Sequence, residues 1–73
     1  MAGLSYRRAV LLATARAEGG TWTTRRAWDL YRTQRLAPRR RTAREDLAYL
    51  ARTGRLTATD GTARAYTLPG GTR

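Results

Sequence analysis

At Gly54 the spacing of apolar residues changes, and this change limits the fold more than any other feature of the chain. Before it, apolar side chains recur at helical intervals in three segments, separated by Gly19-Gly20 and by Ala37-Pro38. After it, "RLTATDGTARAYTL" alternates apolar and polar residues with a period of two. A helical period repeated three times and then exchanged for a strand period predicts a mainly α domain with a small β-hairpin. At 73 residues without cysteine or histidine, the elements have only one small apolar core to hold them together, with no disulfide and no thiolate or imidazole metal site. The expected organisation is a single domain over 1–73, with its core over about 5–68 and "PGGTR", 69–73, as a flexible tail.

Local signals place the helices. Ser5 caps a first helix running to Glu18 and stopped by Gly19-Gly20, with Val10, Leu11 and Thr14 at helical spacing. "TWTT" then reads as a brief extended stretch, and Thr23 or Thr24 caps a second helix carrying Ala27, Trp28, Leu30 and Tyr31. That helix closes near Arg35 or Leu36, because Ala37 precedes a proline. Pro38 suits the first position of a third helix, which turns Ala43, Leu47 and Leu50 inward and ends at Gly54. Projection at ~100° per residue sets Arg41, Glu45, Ala48 and Arg52 opposite that apolar stripe, with Arg44 on its shoulder. Trp22 and Trp28 read as core residues rather than base-stacking platforms, and Tyr49 lies on the flank.

Asp60-Gly61 is the strongest hairpin signal in the chain. A two-residue loop there sets Leu56 opposite Ala65 and throws Tyr66 and Leu68 onto the other face. A three-residue loop, Thr59-Asp60-Gly61, brings Leu56, Tyr66 and Leu68 to one face and is the expected register.

Charge narrows the partners. Fifteen basic residues, all arginine, stand against 5 acidic ones, for a net charge of +10. Coding from a GC-rich genome is one explanation for arginine in place of lysine, but it does not explain the scarcity of acids. The guanidinium fork matches phosphates and guanine edges, so a polyanion is the expected partner, nucleic acid first and an anionic membrane surface second. Glu18, Asp29, Glu45, Asp46 and Asp60 form no spaced pair suited to acid/base work, so no enzyme activity, metal or cofactor is expected. "AVLLATA" is too short to span a bilayer and is followed by Arg16 and Glu18; the expectation is a cytoplasmic, nucleoid-associated protein without a membrane partner.

The stretch "RTAREDLAYLARTGRL" resembles the winged helix-turn-helix family, whose pattern of Thr, small residue, two variable positions, Leu, Leu, Gly and Leu is met by Thr42, Ala43, Leu47, Leu50, Gly54 and Leu56. The likeness covers roughly 6–68 and implies a third helix in the DNA major groove with a hairpin wing on the adjacent groove or backbone. Arg39 stands where such proteins often carry a Ser or Thr cap.

Arg39, Arg40 and Arg41 in the first turn of the third helix oppose the helix dipole at ~0.3–1 kcal/mol each, and a phosphate at that helix start reverses the sign. The resulting DNA-facing set is Arg39, Arg40, Arg41, Thr42, Arg44, Glu45, Ala48 and Arg52, with Arg64 on the wing and Arg25 and Arg26 at the second helix. Arg7 and Arg8 are further candidates for backbone phosphates. Glu45 is expected to pair with Arg41 or Arg52 rather than to accept from a cytosine.

The function expected is that of a sequence-specific duplex-DNA-binding transcriptional regulator, with no separate ligand-sensing domain. A homodimer or cooperative assembly suits a palindromic operator. The alternatives are a low-specificity nucleoid-associated or mobile-element accessory protein, and a winged-helix module for protein interaction or RNA binding.

Overall fold

The computed structural model describes residues 4–59 and 65–69. Three helices, α1 (Tyr6–Glu18), α2 (Thr24–Thr33) and α3 (Arg40–Arg52), precede an antiparallel hairpin of β1 (Thr57–Thr59) and β2 (Ala65–Thr67). This is the mainly helical α+β layout of three helices and a wing.

The helix ends follow local chemistry. Ser5 accepts from the Arg8 amide and Thr23 from the Arg26 amide, satisfying donors that the first helical turn leaves free. Gly19 closes α1 with φ 65°. At the end of α3 the Arg55 amide donates to the Leu50 carbonyl and the Gly54 amide to that of Ala51, a Schellman closure with Gly54 at φ 83°. α2 closes in the same pattern, Leu36 to Tyr31 and Arg35 to Arg32, but the left-handed position is held by Arg35 at φ 56°. This closure ends α2 at Thr33, short of the expected Arg35 or Leu36. A side chain at that angle costs ~1–2 kcal/mol.

Pro38 is not the first helical residue. α3 begins at Arg40 with Arg39 as its cap, and the Pro38 carbonyl instead accepts from the Trp28 indole at 3.3 Å. The buried face of α1 also differs from expectation: Leu11, Leu12 and Ala15 are closed to solvent, whereas Val10 and Thr14 are half-buried. The helix is turned this way because Arg7 and Arg8 near its start are drawn toward α3, as described below.

β2 is the centre of the small sheet. Tyr66 pairs with Ala58 of β1 on one side and, through a bridge of 2.7 and 2.8 Å hydrogen bonds, with Trp22 on the other. The extended stretch before α2 thereby fastens the hairpin to the helical body. Thr59 pairs with Ala65, so neither loop expected at Asp60-Gly61 is formed: Thr59 belongs to the strand, and residues 60–64 lie between the paired ends. The parity of the preferred register does hold, with Leu56 and Tyr66 buried and Leu68 packed against the core. Asp60, Gly61 and Arg64 lie outside the described residues, as does most of the 69–73 segment.

The core joins Leu11, Leu12 and Ala15 of α1, Ala27 and Tyr31 of α2, and Ala43, Leu47 and Leu50 of α3 to Trp22, Leu56 and Tyr66. Among the described residues no helix is long and apolar enough to cross a membrane.

Candidate nucleic-acid interface

With Ala43, Leu47 and Leu50 buried, helical periodicity turns the opposite side of α3 outward. That side presents Arg40, Arg41, Arg44, Glu45 and Arg52 to solvent around a half-buried Ala48. Its N-terminal turn holds no acidic residue, and Arg39 makes no side-chain capping bond. Beside it, Thr24 at the start of α2 and Arg40, Arg41 and Arg44 line an open recess of about 280 Å³. Three arginines and a threonine line this one hollow, so cationic side chains border it.

The acids explain why this face stays cationic. Glu18 pairs with Arg26 at 2.9 Å, Asp29 with Arg32 at 2.8 Å and Glu45 with Arg41 at 3.1 Å, while Asp46 is taken by Arg7 and Arg8. Every described carboxylate is thus matched, and Arg25, Arg39, Arg40, Arg44 and Arg52 have no carboxylate partner among the described residues. The Arg41–Glu45 pair sits at i, i+4 on the exposed surface, the spacing at which helical side chains meet.

The expected site residues are not equivalent. Arg39, Arg40 and Arg44 are exposed at the start and along the outer face of α3, and Arg25 is exposed in the first turn of α2. Thr42 is half-buried and is not among the residues that line the recess. Arg26 is engaged inside the molecule: its guanidinium stacks 3.9 Å from the Trp22 ring centroid and donates to the Gly19 and Thr21 carbonyls as well as to Glu18. It fastens the α1–α2 connection over a core tryptophan. Arg64 is outside the described residues.

Arg7 and Arg8 are likewise drawn inward, by a group that periodicity alone does not mark. Asp46 has no exposed surface and accepts from Arg7 Nε and Nη2, from Arg8 Nε at 2.7 Å and from the Tyr31 hydroxyl at 2.7 Å. One carboxylate therefore joins α1, α2 and α3. Burial pushes its pKa up, but hydrogen bonds from Arg7, Arg8 and Tyr31 outweigh that, holding it below the usual carboxylate range. Burial first, then the bond to Asp46, raises the Tyr31 phenol well above its ordinary value, so it remains a donor. The signal in the sequence was an acid set three residues after Ala43 and four before Leu50, on the edge of an apolar stripe.

Comparison with family models, with curated proteins and with solved structures finds no match to this chain. Among the described residues no group of acidic side chains is arranged to hold a metal ion.

Proposed function

We propose that this chain is a winged helix-turn-helix protein that binds duplex DNA in a sequence-specific manner and regulates transcription on the nucleoid, α3 entering the major groove and the hairpin lying against the neighbouring backbone. The observation that carries the reading is the division of charge. Each described acid is matched to an arginine, while on the outward face of α3 Arg40, Arg44 and Arg52, around the small side chain of Ala48, have no carboxylate partner among the described residues. An α-helix with its side chains is ~10–12 Å across and the major groove is ~12 Å wide, so this face is of a size to enter it. The open recess beside Thr24 suits a backbone phosphate at the groove edge.

In this reading Arg44 is the foremost base reader: it stands exposed on the shoulder of the outer face, between Arg40 and Ala48 on the wheel, and does not pair with Glu45. Arg39, Arg40 and Arg25 neutralise phosphates, which fixes the register of the helix without reading sequence. The uncapped, arginine-rich start of α3 is then explained by its partner: a phosphate supplies the negative charge that the helix terminus lacks.

The deciding experiment measures affinity for a random duplex, a duplex selected from a random pool, and an RNA duplex, each at two salt concentrations. Neutralising Z phosphates gives a log-log slope of about −0.9Z, so five to eight contacts weaken binding by at least ~100-fold between low and moderate salt. A selected duplex bound much more tightly than a random one supports a regulator. Equal affinity moves the reading to an architectural role, and a flat salt response overturns DNA binding.

A further inference from the structure

The edge where α1 meets α3 carries a second cationic group, separate from the recess at Thr24. Arg8 directs Nε to Asp46 at 2.7 Å, and its guanidinium carbon lies 3.9 Å from the centroid of the Tyr49 ring. Arg52, one turn further along α3, also lies over that ring, at 5.6 Å. The terminal nitrogens of Arg8, the guanidinium of Arg52 and the Tyr49 hydroxyl have no hydrogen-bond partner among the described residues. The carboxylate behind this group is shared by Arg7 as well, so it does not cancel the positive charge.

We propose that Arg8 and Tyr49, with Arg52 at the rim of the outer face, form a phosphate-binding site at the α1–α3 edge, contacting the DNA backbone across that face from Thr24 and Arg40 of the recess, which Arg41 and Arg44 also line. Tyr49 lies about 180° around the helix from Arg40, so these two residues bracket the outer face, and Arg52 reaches from that face toward Tyr49. Arg8 enters the complex already held by a buried carboxylate and an aromatic face. Little side-chain freedom remains to be lost when its free nitrogens meet a phosphate oxygen. Tyr49 adds a hydroxyl donor at the same edge. The sequence showed two arginines in the first turn of α1 and treated them alike. The structure separates them: Arg7 spends two nitrogens on Asp46, whereas Arg8 spends only Nε and keeps both terminal nitrogens without a hydrogen-bond partner among the described residues.

The site rests on the duplex-binding reading, and the test separates the two. The salt dependence of binding to a random DNA duplex is measured for the unmodified chain, Arg8→Met, Tyr49→Leu and Arg16→Ala. Arg8→Met leaves Asp46 bonded to Arg7 and Tyr31, and Tyr49→Leu leaves every ion pair in place; thermal unfolding verifies that each variant is folded. The expected result is a loss of about 0.9 in the log-log slope for Arg8→Met, a weaker complex for Tyr49→Leu, and no change of slope for Arg16→Ala, which removes the same charge from an exposed position on the same helix. Steep duplex binding with an unchanged slope in Arg8→Met, or an equal loss in Arg16→Ala, overturns the site and leaves DNA binding intact. Where duplex binding itself is flat, inorganic phosphate followed by the arginine Nε–H resonances decides. Saturable shifts at Arg8 and Arg52, with none at Arg16, support a phosphate site in a protein that does not bind duplex DNA, and their absence overturns both readings.

Discussion

The Tyr31 hydroxyl donates to Asp46 at 2.7 Å, and neither side chain has exposed surface. The bond crosses from α2 to α3 at the point where Arg7 and Arg8 arrive from α1, so removing the carboxylate leaves a buried donor unpartnered and frees two arginines from one another's company. Those arginines are partly exposed and regain water, which limits the loss. Asp46→Ala is expected to lower stability by about 3 kcal/mol, and Tyr31→Phe, which removes one bond to a charged acceptor while keeping the ring, by about 1–2 kcal/mol. Urea unfolding of the two variants measures this. A loss below about 1 kcal/mol for Asp46→Ala would show that the cluster does not hold the helices together.

The same cluster sets the response to pH. A carboxylate whose folded pKa is lowered contributes stability above its unfolded pKa, near 3.9, and that contribution is lost as the pH falls through the folded value. The Tyr31 phenol has the opposite sense: its raised pKa contributes below its unfolded value, near 10, and is lost as the pH rises beyond it. Stability measured from pH 3 to pH 11 is therefore expected to be level in the middle and to decline at both ends. The gap between the unmodified chain and Asp46→Asn closes in acid, and Tyr31→Phe removes the alkaline decline attributable to the phenol. A gap for Asp46→Asn that is constant down to pH 3 would contradict the role given to its charge.

What was legible in the sequence and what was not divides by the range of the interaction. Ser5, Thr23, Gly19 and Gly54 act on residues three to five positions away, so the helix ends they mark are legible in the chain, the start of α2 to within the choice of Thr23 or Thr24. Arg35 performs the same closing role as Gly54, but arginine is no signal for a left-handed residue, so the end of α2 was placed too late. Hairpin parity was legible because Leu56, Tyr66 and Leu68 must share a buried face; loop length was not, since registers differing by an even number of residues keep that face. In the candidate site, the outer face of α3 and the Arg41–Glu45 pair followed from periodicity. The engagement of Arg7 and Arg8 by Asp46 joins positions 39 and 38 residues apart, and that of Arg26 by the α1–α2 connection depends on where Trp22 is seated, so both required the tertiary structure.

Arg25 and Arg26, adjacent in the chain, are expected to behave as different kinds of residue. Arg26→Ala removes the stack on Trp22 and hydrogen bonds to two carbonyls and to Glu18, for a loss of about 1–2 kcal/mol in stability with little change in the salt dependence of DNA binding. Arg25 is exposed and has no carboxylate partner among the described residues, so Arg25→Ala is expected to leave stability within about 0.5 kcal/mol and to lower the log-log slope by about one unit. Measuring both quantities for both variants checks the assignment, which fails if their profiles coincide or exchange.

Glu45 and Arg44 separate general attraction from base reading on one helix face. Glu45 is the one acid exposed on the outer side of α3, bonded to Arg41 at 3.1 Å with both side chains largely in solvent, so the pair itself adds little stability. Glu45→Ala removes a negative charge from the approaching surface and frees Arg41; random duplex is expected to bind more tightly at low salt, with the gain shrinking as salt is added. Arg44 is exposed on the shoulder of the face and has no carboxylate partner among the described residues. Arg44→Ala is expected to cost about 1–3 kcal/mol on a selected duplex and less on a random one, the signature of a lost bidentate contact to a base edge. Both positions are solvent-exposed, so neither variant disturbs the core of Ala43, Leu47 and Leu50. Titrating both variants against both duplexes at one salt concentration, and Glu45→Ala against the random duplex at a second, provides the comparison. An equal loss on the two duplexes for Arg44→Ala makes it a phosphate contact and moves sequence reading elsewhere on the face. Weaker binding of random duplex by Glu45→Ala would mean that the Arg41–Glu45 pair orients Arg41 for contact rather than holding it back.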